Sequence, residues 1–323
     1  MPALALACAL GAALAPPAAL AEFPDKPVTI VVPFPAGGPS DKIARDVAEA
    51  MHKTLNQTVV VDNTSGAGGT VGTARVAHAT ADGYTLLVHH IGLSTAPALY
   101  KTLGYKADDL AFLGLINEAP QTLISRPTMA ANTFAELRKY IAEQDSKVNI
   151  ANAGVGSASH LCGLMLQSQL KSHMTFVPYK GGGPAMTDLI GSQVDLLCEQ
   201  ATSAIPQIES KRVKVYGLTA LKRLDLSSVA AVPTLDESGL PGFSVTIWHG
   251  LYAPRGTPAA VQEKLNAALR AALKDPELIK REEAVGITVV TDDRLTPAGH
   301  RKFFEAEAVR WAKVIKEAGI QPE

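Results

Sequence analysis

Residues 28–51 read VTIVVPFPAGGPSDKIARDVAEAM, and this stretch decides the fold. An apolar run leads into a turn rich in proline and glycine. A pattern then follows in which Ile43, Val47, Ala50 and Met51 share one helical face. This order predicts a strand, a tight turn and a helix. In open α/β sheets, ligands bind at the carboxyl ends of the strands, where such turns lie.

The turn itself has the features of an anion site. Gly37 and Gly38 let a ligand approach the backbone, and Ser40 is predicted to cap the helix that begins near Asp41. Free N–H groups and the positive end of the helix dipole favour a negative group there. Asp41 would repel a bare carboxylate, so we interpret it as a residue that orients water or binds backbone donors. A tight turn that holds no ligand is the alternative.

A second glycine turn, ANAGVGSASHLCG at 151–163, follows the strand-like run VNIA. Gly156 frees the backbone, and Ser157 and Ser159 add hydroxyl donors at the start of a predicted helix. His160 lies in the first helical turn, where a functional histidine and a packed one are both open. The sequence therefore predicts two helix N-termini that face one ligand.

A third glycine-rich stretch, DNTSGAGGTVGTARVA at 62–77, also follows an apolar strand. It is not a dinucleotide fingerprint, because Val71 stands where GxGxxG needs its last glycine. It is not a phosphate loop either, because no lysine follows the glycines. We interpret the stretch, which includes Gly69, as a backbone-lined wall.

Composition excludes several function classes. The chain has 323 residues, a net charge of −1 and only 5% aromatic residues, so neither a basic field nor stacking platforms indicate nucleic acid. The motifs GxSxG, HExxH and CxxC are missing, and the adjacent His89 and His90 point to opposite faces of a strand. We therefore expect no metal, no cofactor and no catalysis; an exported α/β hydrolase is the alternative.

Residues 1–21, MPALALACALGAALAPPAALA, are apolar and end in a small-x-small pattern. They predict a secretory signal peptide cut before Glu22, although no Lys or Arg precedes the apolar region. An ordered N-terminal helix is the alternative. Export predicts the periplasm, where Cys162 and Cys198 would pair if they lie close together; two buried, unpaired cysteines are equally open.

Strand-like runs alternate with helical ones, which indicates a mostly parallel α/β sheet covered on both faces. The last two long helices are predicted at 257–273, with Thr257 as N-cap, and at about 297–318. The β/α rhythm restarts near Pro127 and closes near Pro241. The predicted domains are one lobe at 22–124 plus 245–323 and a second at 125–244. The predicted strands are 27–33, 57–61, 83–89, 111–116, 121–125, 148–152, 175–178, 193–199, 212–218 and 244–253.

Five segments, taken together and in order, resemble one family. They are PDKPVTIVVPFPAGGPSDKIAR, VVVDNTSGAGGTVGTARVAHATADGYTLL, NAGVGSASHL, VPYKGGGPAMTDLIGSQVD and GLYAPRGTP. The chain resembles the Bug family, the extracytoplasmic solute-binding receptors of tripartite tricarboxylate transporters, over residues 24–320. The resemblance implies a two-lobed, type II periplasmic binding protein, each lobe a mixed, mostly parallel sheet flanked by helices, that closes on a small carboxylate without catalysis.

The resemblance also implies a residue set. One carboxylate is held at the first-lobe turn, often through ordered waters, by the positions that match Phe34, Pro35, Ala36, Gly37 and Asp41. The facing loop matches Asn152, Val155, Gly156, Ser157 and Ser159, and the YKGG segment matches Tyr179 through Gly182. Near where the family lines its cleft, or at positions individual to this chain, lie His90, Ser94, Thr95, Glu199 and His249.

The two extra histidines suggest a second carboxylate or a ring in the ligand. We therefore expect a dicarboxylic acid, with an aromatic one such as terephthalate as the first specific candidate. The expected partners are this ligand and the membrane components of the transporter, with the receptor itself a monomer. A subunit that senses the ligand for a signalling partner is the remaining alternative.

Overall fold

The structure, a computed structural model, describes residues 23–317 and 319–322. The predicted signal peptide, 1–21, lies outside the described residues. Within them, none of the helices is long and apolar enough to cross a membrane. The strands of this part of the chain are β1 (Val28–Val32), β2 (Val59–Asn63), β3 (Thr85–His90), β4 (Leu110–Ser125), β5 (Asn149–Asn152), β6 (Thr175–Pro178), β7 (Leu196–Gln200), β8 (Lys214–Leu218), β9 (Thr246–Pro254) and β10 (Thr288–Val289).

Most helices lie between strands, as the alternating pattern predicts; two helices lie between β9 and β10, and one follows β10. They are α1 (Pro39–Leu55), α2 (Thr70–Ala77), α3 (Gly92–Leu99), α4 (Phe134–Gln144), α5 (Ala158–Leu170), α6 (Gly182–Ile190), α7 (Ala201–Glu209), α8 (Ala259–Ala272), α9 (Pro276–Glu283) and α10 (Pro297–Glu317). Ile43, Val47, Ala50 and Met51 are all buried on one face of α1, which confirms the helical pattern.

Two groups of parallel strands are joined by antiparallel ones. β1 lies between β2 and β3 and is parallel to both, and β5 lies between β6 and β7 and is parallel to both. β9 and β4 connect the groups, giving the order β2-β1-β3-β9-β4-β7-β5-β6, with β8 and β10 also paired to β4. The two groups form the two lobes of the predicted α/β fold. We call the part built on β1, β2 and β3 the first lobe and the part built on β5, β6 and β7 the second.

Both faces of the first-lobe sheet are covered. Along β1, Val31 packs in one core cluster, whereas Ile30 and Val32 pack in another together with apolar residues of α1 and α8. Because both faces are buried, the strand reads as a continuous apolar run rather than an alternating one. The turn that follows β1 is thereby fixed to a rigid strand end.

One long strand replaces the two strands predicted at 111–116 and 121–125. β4 pairs with β9 as far as Pro120, and from Gln121 onward it pairs with β7 and β8. The prediction of two strands was wrong because the proline and polar residues near 118–121 do not interrupt the strand. They mark instead the place where the strand passes from one sheet to the next. The boundaries at 124/125 and 244/245 stay a prediction.

Neither predicted N-cap is correct. Helix α1 begins one residue before Ser40, with Gly38 as N-cap and Pro39 in the first turn. Helix α8 begins at Ala259 with Pro258 as N-cap, and the Thr257 hydroxyl donates to the Pro254 carbonyl instead. In α1, Pro39 takes the first helical position, for which proline is preorganised, so the N-cap falls on Gly38 rather than on Ser40.

Cys162 and Cys198 form a disulfide, which decides between the two alternatives left open by the sequence. Cys162 lies on α5 and Cys198 on β7, and neither is accessible to solvent. The bond ties together two elements of the second lobe whose ends face the first lobe.

Candidate ligand-binding cleft

A cavity of about 210 Å³ lies where the two lobes meet. Its wall on the first-lobe side is the turn after β1 together with His90. Its wall on the second-lobe side is made by the starts of α5 and α6 and by the end of β7. The lining residues are Phe34, Pro35, Ala36, Gly37, Gly38, Pro39, Ser40, His90, Ala153, Ser157, Ala158, Ser159, Gly181, Gly182, Gly183, Pro184, Glu199, Gln200 and Ile247.

Asp41 holds the first-lobe turn in shape from behind. One carboxylate oxygen, Oδ2, accepts from the Gly37 N–H at 2.8 Å and from Arg45 Nε at 2.9 Å. The other, Oδ1, accepts from Asn63 Nδ2 at 3.0 Å, and the same amide nitrogen donates to the Phe34 carbonyl. Arg45 pairs with the buried Asp41 carboxylate, so the negative charge of Asp41 is offset before a ligand binds. Asp41 thus binds a backbone donor, one of the roles predicted for it, and does not line the cavity.

His90 is a neutral hydrogen-bond donor in the cavity wall. Its ring stacks on Phe34, with 4.4 Å between the ring centres. The Gly92 N–H donates to His90 Nδ1 at 2.9 Å, which leaves the ring proton on Nε2. Burial lowers the pKa of His90 to about 4, so the ring carries no charge at neutral pH.

A chain of hydrogen bonds fixes the hydroxyl of Ser40. Asn117 Nδ2 donates to Glu282 Oε2 at 2.9 Å, so its Oδ1 accepts from His249 Nδ1 at 3.0 Å. His249 Nε2 is then bare and accepts from Ser40 Oγ at 3.0 Å. Burial keeps the pKa of His249 well below its usual value, which is consistent with this neutral tautomer. Ser40 therefore presents oxygen lone pairs, not its hydrogen, to the cavity.

The second-lobe turn offers one hydroxyl hydrogen. Ser157 is the N-cap of α5 and accepts from the His160 N–H, while Ser159 Oγ accepts from the Ala153 N–H at 2.8 Å. The two hydroxyl oxygens lie 3.0 Å apart, so one hydrogen is used between them. The other is free to donate to a ligand.

Glu199 and Gln200 close the far side of the cavity at the end of β7. The Gln200 N–H donates to Glu199 Oε1 at 3.0 Å, and burial raises the pKa of Glu199 to about 7. Gln200 Nε2 has no hydrogen-bond partner among the described residues, although its side chain is buried. A buried donor and a buried carboxyl group therefore stand side by side.

Direct contacts hold the lobes together beside the cavity. Tyr100 Oη donates to the Val155 carbonyl at 2.8 Å, and Thr95 Oγ1 lies 3.3 Å from the Gly156 carbonyl oxygen. Gly68 fits between Tyr100 and Val155 because it has no side chain. The structure thus shows the cleft in a closed arrangement.

Comparison with known proteins assigns this chain to a family. Residues 43–320 match the model of the tripartite tricarboxylate transporter family receptor. The chain belongs to this receptor family. It is 48% identical to the UPF0065 protein in the TAR-I ttuE-ttuC' intergenic region of Agrobacterium vitis, over 92% of this chain and 86% of that protein.

Two solved structures are similar over nearly their whole length. The periplasmic binding protein BugD is 45% identical, with a TM-score of 0.89 over 93% of this chain and 100% of BugD. MatC from Rhodopseudomonas palustris, solved with bound malate, is 39% identical, with a TM-score of 0.86 over 91% and 100%. The predicted fold is confirmed by these neighbours. The family is one of solute-binding receptors rather than enzymes; it binds small carboxylates, works with transporter components and is periplasmic.

The structure of this receptor separates the predicted site residues into three groups. Those in the cavity wall are Phe34, Pro35, Ala36, Gly37, His90, Ser157, Ser159 and Glu199. A neighbouring groove lies between the same loops and is also lined by Phe34 and Pro35. The predicted residues that lie beside this groove, and not in the cavity wall, are Gly69, Val155 and Tyr179. Those behind the walls, where they hold loops through hydrogen bonds, are Asp41, Ser94, Asn152, Gly156 and His249.

Other lining residues were missed by the sequence analysis. Gln200 follows a predicted site residue, and the rule that ligands bind at strand ends would have found it. Gly183 and Pro184 continue the predicted YKGG segment into α6. Ile247 gives no signal, because an apolar residue in a strand is ordinarily a core residue. Within the described residues, no group of histidine, cysteine and acidic side chains could hold a metal ion.

Replacing Ser157 and Ser159 together by alanine should weaken carboxylate binding by roughly tenfold to 100-fold without unfolding the protein. The double change removes the free hydroxyl hydrogen and two bonds accepted from backbone N–H groups. We expect the free energy of unfolding to fall by about 1–3 kcal/mol. Calorimetry and urea unfolding measure the two effects.

Thr133→Ala is the matched control for this variant. Thr133 caps α4 by accepting from the Glu136 N–H, but it does not line the cavity. This change should lower the free energy of unfolding by about as much as the loss of the Ser157 cap, and it should leave the affinity for the ligand unchanged. Equal affinities for the serine variant and the wild type would remove this loop from the site.

Acidification should destabilise the receptor. The unfolded chain protonates histidine near pH 6.5, but burial lowers the pKa of five described histidines, so the free energy of unfolding falls as the pH drops from about 6.5 toward 4. These histidines are His89, His90, His160, His249 and His300. Glu199 and Glu282 act in the opposite direction between about pH 7 and 4.5, because burial raises the pKa of each to about 7. The histidines outnumber them, so a urea midpoint that stays constant or rises from pH 7 to pH 5 would contradict this balance.

Proposed function

We propose that this receptor captures a small dicarboxylate in the cavity between its lobes and delivers it to the membrane components of a tripartite tricarboxylate transporter. The observation that carries the proposal is a closed cavity whose walls offer mainly uncharged donors. The site is proposed to comprise the sixteen residues predicted from the sequence, together with Ser40 and Gln200. MatC, a similar receptor, holds malate, which is a four-carbon dicarboxylate.

The first-lobe wall supports a carboxylate at one end of the ligand. The N–H groups of Ser40 and Asp41 belong to the first turn of α1, where backbone donors have no intrahelical partner. The positive end of the helix dipole favours an anion at this place. Ser157 or Ser159 supplies one hydroxyl hydrogen from the facing wall. Together these groups can bind a carboxylate without a positively charged side chain.

The stacked rings of Phe34 and His90 support an aromatic dicarboxylate, of which terephthalate is the specific candidate. A flat ring between two carboxylates would lie against this pair, and apolar walls flanked by a few polar groups are typical of small-molecule sites. Aliphatic dicarboxylates such as malate and succinate are the competing ligands in the same class.

The remaining parts of the proposal concern the whole protein. Residues 1–21 are proposed to direct export to the periplasm as a signal peptide. The mature chain is proposed to act as a monomer, with lobes at 22–124 plus 245–323 and at 125–244. Ligand binding between these lobes would stabilise the closed form, which the transporter would then recognise.

Thermal unfolding of residues 22–323 with a panel of mono-, di- and tricarboxylates tests the proposal. A ligand at 100 times its dissociation constant adds about 2.7 kcal/mol of stability, which is a visible shift. We expect dicarboxylates to give the largest shift, and calorimetry then ranks terephthalate against succinate and malate. Binding of monocarboxylates alone would overturn the dicarboxylate assignment. No heat with terephthalate and tight binding of an aliphatic acid would overturn the aromatic one.

A further inference from the structure

Glu199 is a carboxyl group placed where an anionic ligand must bind. Its side chain lines the cavity and is only 5% exposed. Oε1 accepts from the Gln200 N–H, whereas Oε2 faces the start of α6, where a side-chain carbon on Gly182 would lie 2.6 Å from it. Among the described residues, no lysine or arginine forms an ion pair with Glu199. A carboxylate ligand would therefore meet an acidic group that has no cationic partner among the described residues.

Gln200 provides a donor beside this acceptor. Its Nε2 lacks a partner among the described residues, and its side chain is 2% exposed and lines the same cavity. An unpaired buried donor costs free energy, so a ligand atom that accepts from it gains binding energy. This part of the wall therefore offers a carboxyl oxygen and an amide N–H. Together they complement a ligand group that has one hydrogen-bond donor and one hydrogen-bond acceptor.

Among the side chains of this wall and the groups that face it, Glu199 is the one that titrates near neutral pH. From β4, Thr122 donates its hydroxyl hydrogen to the Glu199 backbone carbonyl, and Gly182 comes from α6. Across the cavity lie Ser40, whose hydrogen is held by His249, and His90, whose pKa burial lowers to about 4. None of these groups carries charge at pH 7.

We propose that the second carboxyl group of the ligand binds Glu199 as a pair that shares one proton, while Gln200 Nε2 donates to the other ligand oxygen. The proposal rests on the proposed dicarboxylate function and specifies its chemistry. Two carboxyl groups in one site cannot both be ionised at low cost, so one of them holds a proton. The complex contains the ligand dianion, the receptor and one proton. This proton is taken from solvent when Glu199 is ionised before binding and is otherwise already on Glu199, and its O–H bond is the covalent bond that forms.

Proton uptake follows from this pairing. In the closed cleft, burial raises the pKa of Glu199 to about 7 before a ligand is counted, and the ligand carboxylate raises it further. Below pH 7 the group is already protonated, so binding takes up little. Above pH 7 binding takes up about one proton, and the dissociation constant rises about tenfold per pH unit until the pKa of the complex is reached.

Calorimetry at pH 6, 7 and 8 in buffers of different ionisation enthalpy measures the proton number directly. Terephthalate and succinate serve as probes without a hydroxyl or amino group, and malate as a probe that carries a hydroxyl. We expect uptake of about one proton at pH 8 and about half a proton at pH 7 with both plain probes.

Glu199→Gln isolates the group, because glutamine has the shape of the protonated side chain and keeps a donor. This variant should bind both plain probes with no proton uptake and with a dissociation constant independent of pH. Asp46→Asn is the matched control, since burial also raises the pKa of Asp46 but its carboxyl group pairs with Arg281 away from the cavity. It should retain the uptake of about one proton at pH 8.

The outcomes separate this inference from the function on which it rests. Plain dicarboxylates that bind without proton uptake overturn the shared proton and leave the receptor function intact. Binding of malate alone, without uptake, overturns it as well, because the ligand would then supply the hydrogen itself. If no dicarboxylate binds at any pH, the proposed function fails and the inference fails with it. If Glu199→Gln does not fold, the buffer series on the wild type alone decides.

Discussion

Replacing Cys162 and Cys198 together by alanine should lower the free energy of unfolding by about 4 kcal/mol. The disulfide closes a loop with a sequence separation of 36, and opening it lets the unfolded chain explore more conformations. Both sulfur atoms are also buried in the second-lobe core, so alanine removes packed atoms as well. Urea unfolding of the variant and the wild type measures the loss.

Reduction of the wild type separates the two contributions. The disulfide is buried in the folded protein, so the wild type is unfolded in urea with a reducing agent present, which opens the bond in the unfolded chain and leaves both sulfur atoms in place. Reduction should then account for most of the effect if the crosslink dominates. A loss below about 1 kcal/mol in the alanine variant would contradict the expectation from loop closure. A large loss in the variant with none on reduction would assign the effect to packing.

Gly68→Ala should weaken ligand binding by at least about 100-fold while it changes the free energy of unfolding by only about 1–2 kcal/mol. A side-chain carbon at Gly68 would overlap the Val155 carbonyl oxygen and lie 2.7 Å from Tyr100 Oη. These atoms belong to the contact between the lobes, so the variant should fold but fail to close. Calorimetry with the ligand found by the panel measures the effect.

Gly242→Ala is the matched control. Gly68 and Gly242 both have positive φ, at 61° and 72°, so alanine is strained at either position. At Gly242, however, a side-chain carbon would have no neighbour within 4 Å. The control should lose similar stability and keep its affinity. If Gly68→Ala binds as tightly as the control, the contact seen here is not required for binding.

Local sequence patterns predicted much of the fold and part of the site. The order of strand, glycine turn and helix in residues 28–51 predicted that the turn with Gly37 and Gly38 lines a site, and a second such turn predicted Ser157 and Ser159; the family resemblance added Phe34, Pro35 and Ala36, and all seven line the cavity. These predictions depend on neighbours along the chain, where period and turn chemistry are informative. The predicted helix face and most strand positions were correct for the same reason.

Contacts between distant residues were beyond such patterns. The sequence could not show that Ser40 bonds His249, which lies 209 positions away, instead of capping its own helix. It also could not show that Cys162 and Cys198 lie close enough to bond, nor that Ser94 points at its own backbone rather than at the cleft. The Ser40–His249 bond and the disulfide depend on how separate elements pack, which residue types alone do not indicate. The direction of the Ser94 side chain depends on the local turn at Ile91.

The absence of positive side chains from the cavity wall has a consequence for the conditions in which the receptor works. No lysine or arginine is among the described residues that line it, so ligand recognition depends on short-range dipoles in a closed, buried space. Dissolved ions screen exposed charges but reach such a space poorly. The affinity of the receptor should therefore stay nearly constant as the ionic strength of its surroundings rises and falls, and carboxylate uptake could proceed in dilute and in salty media alike.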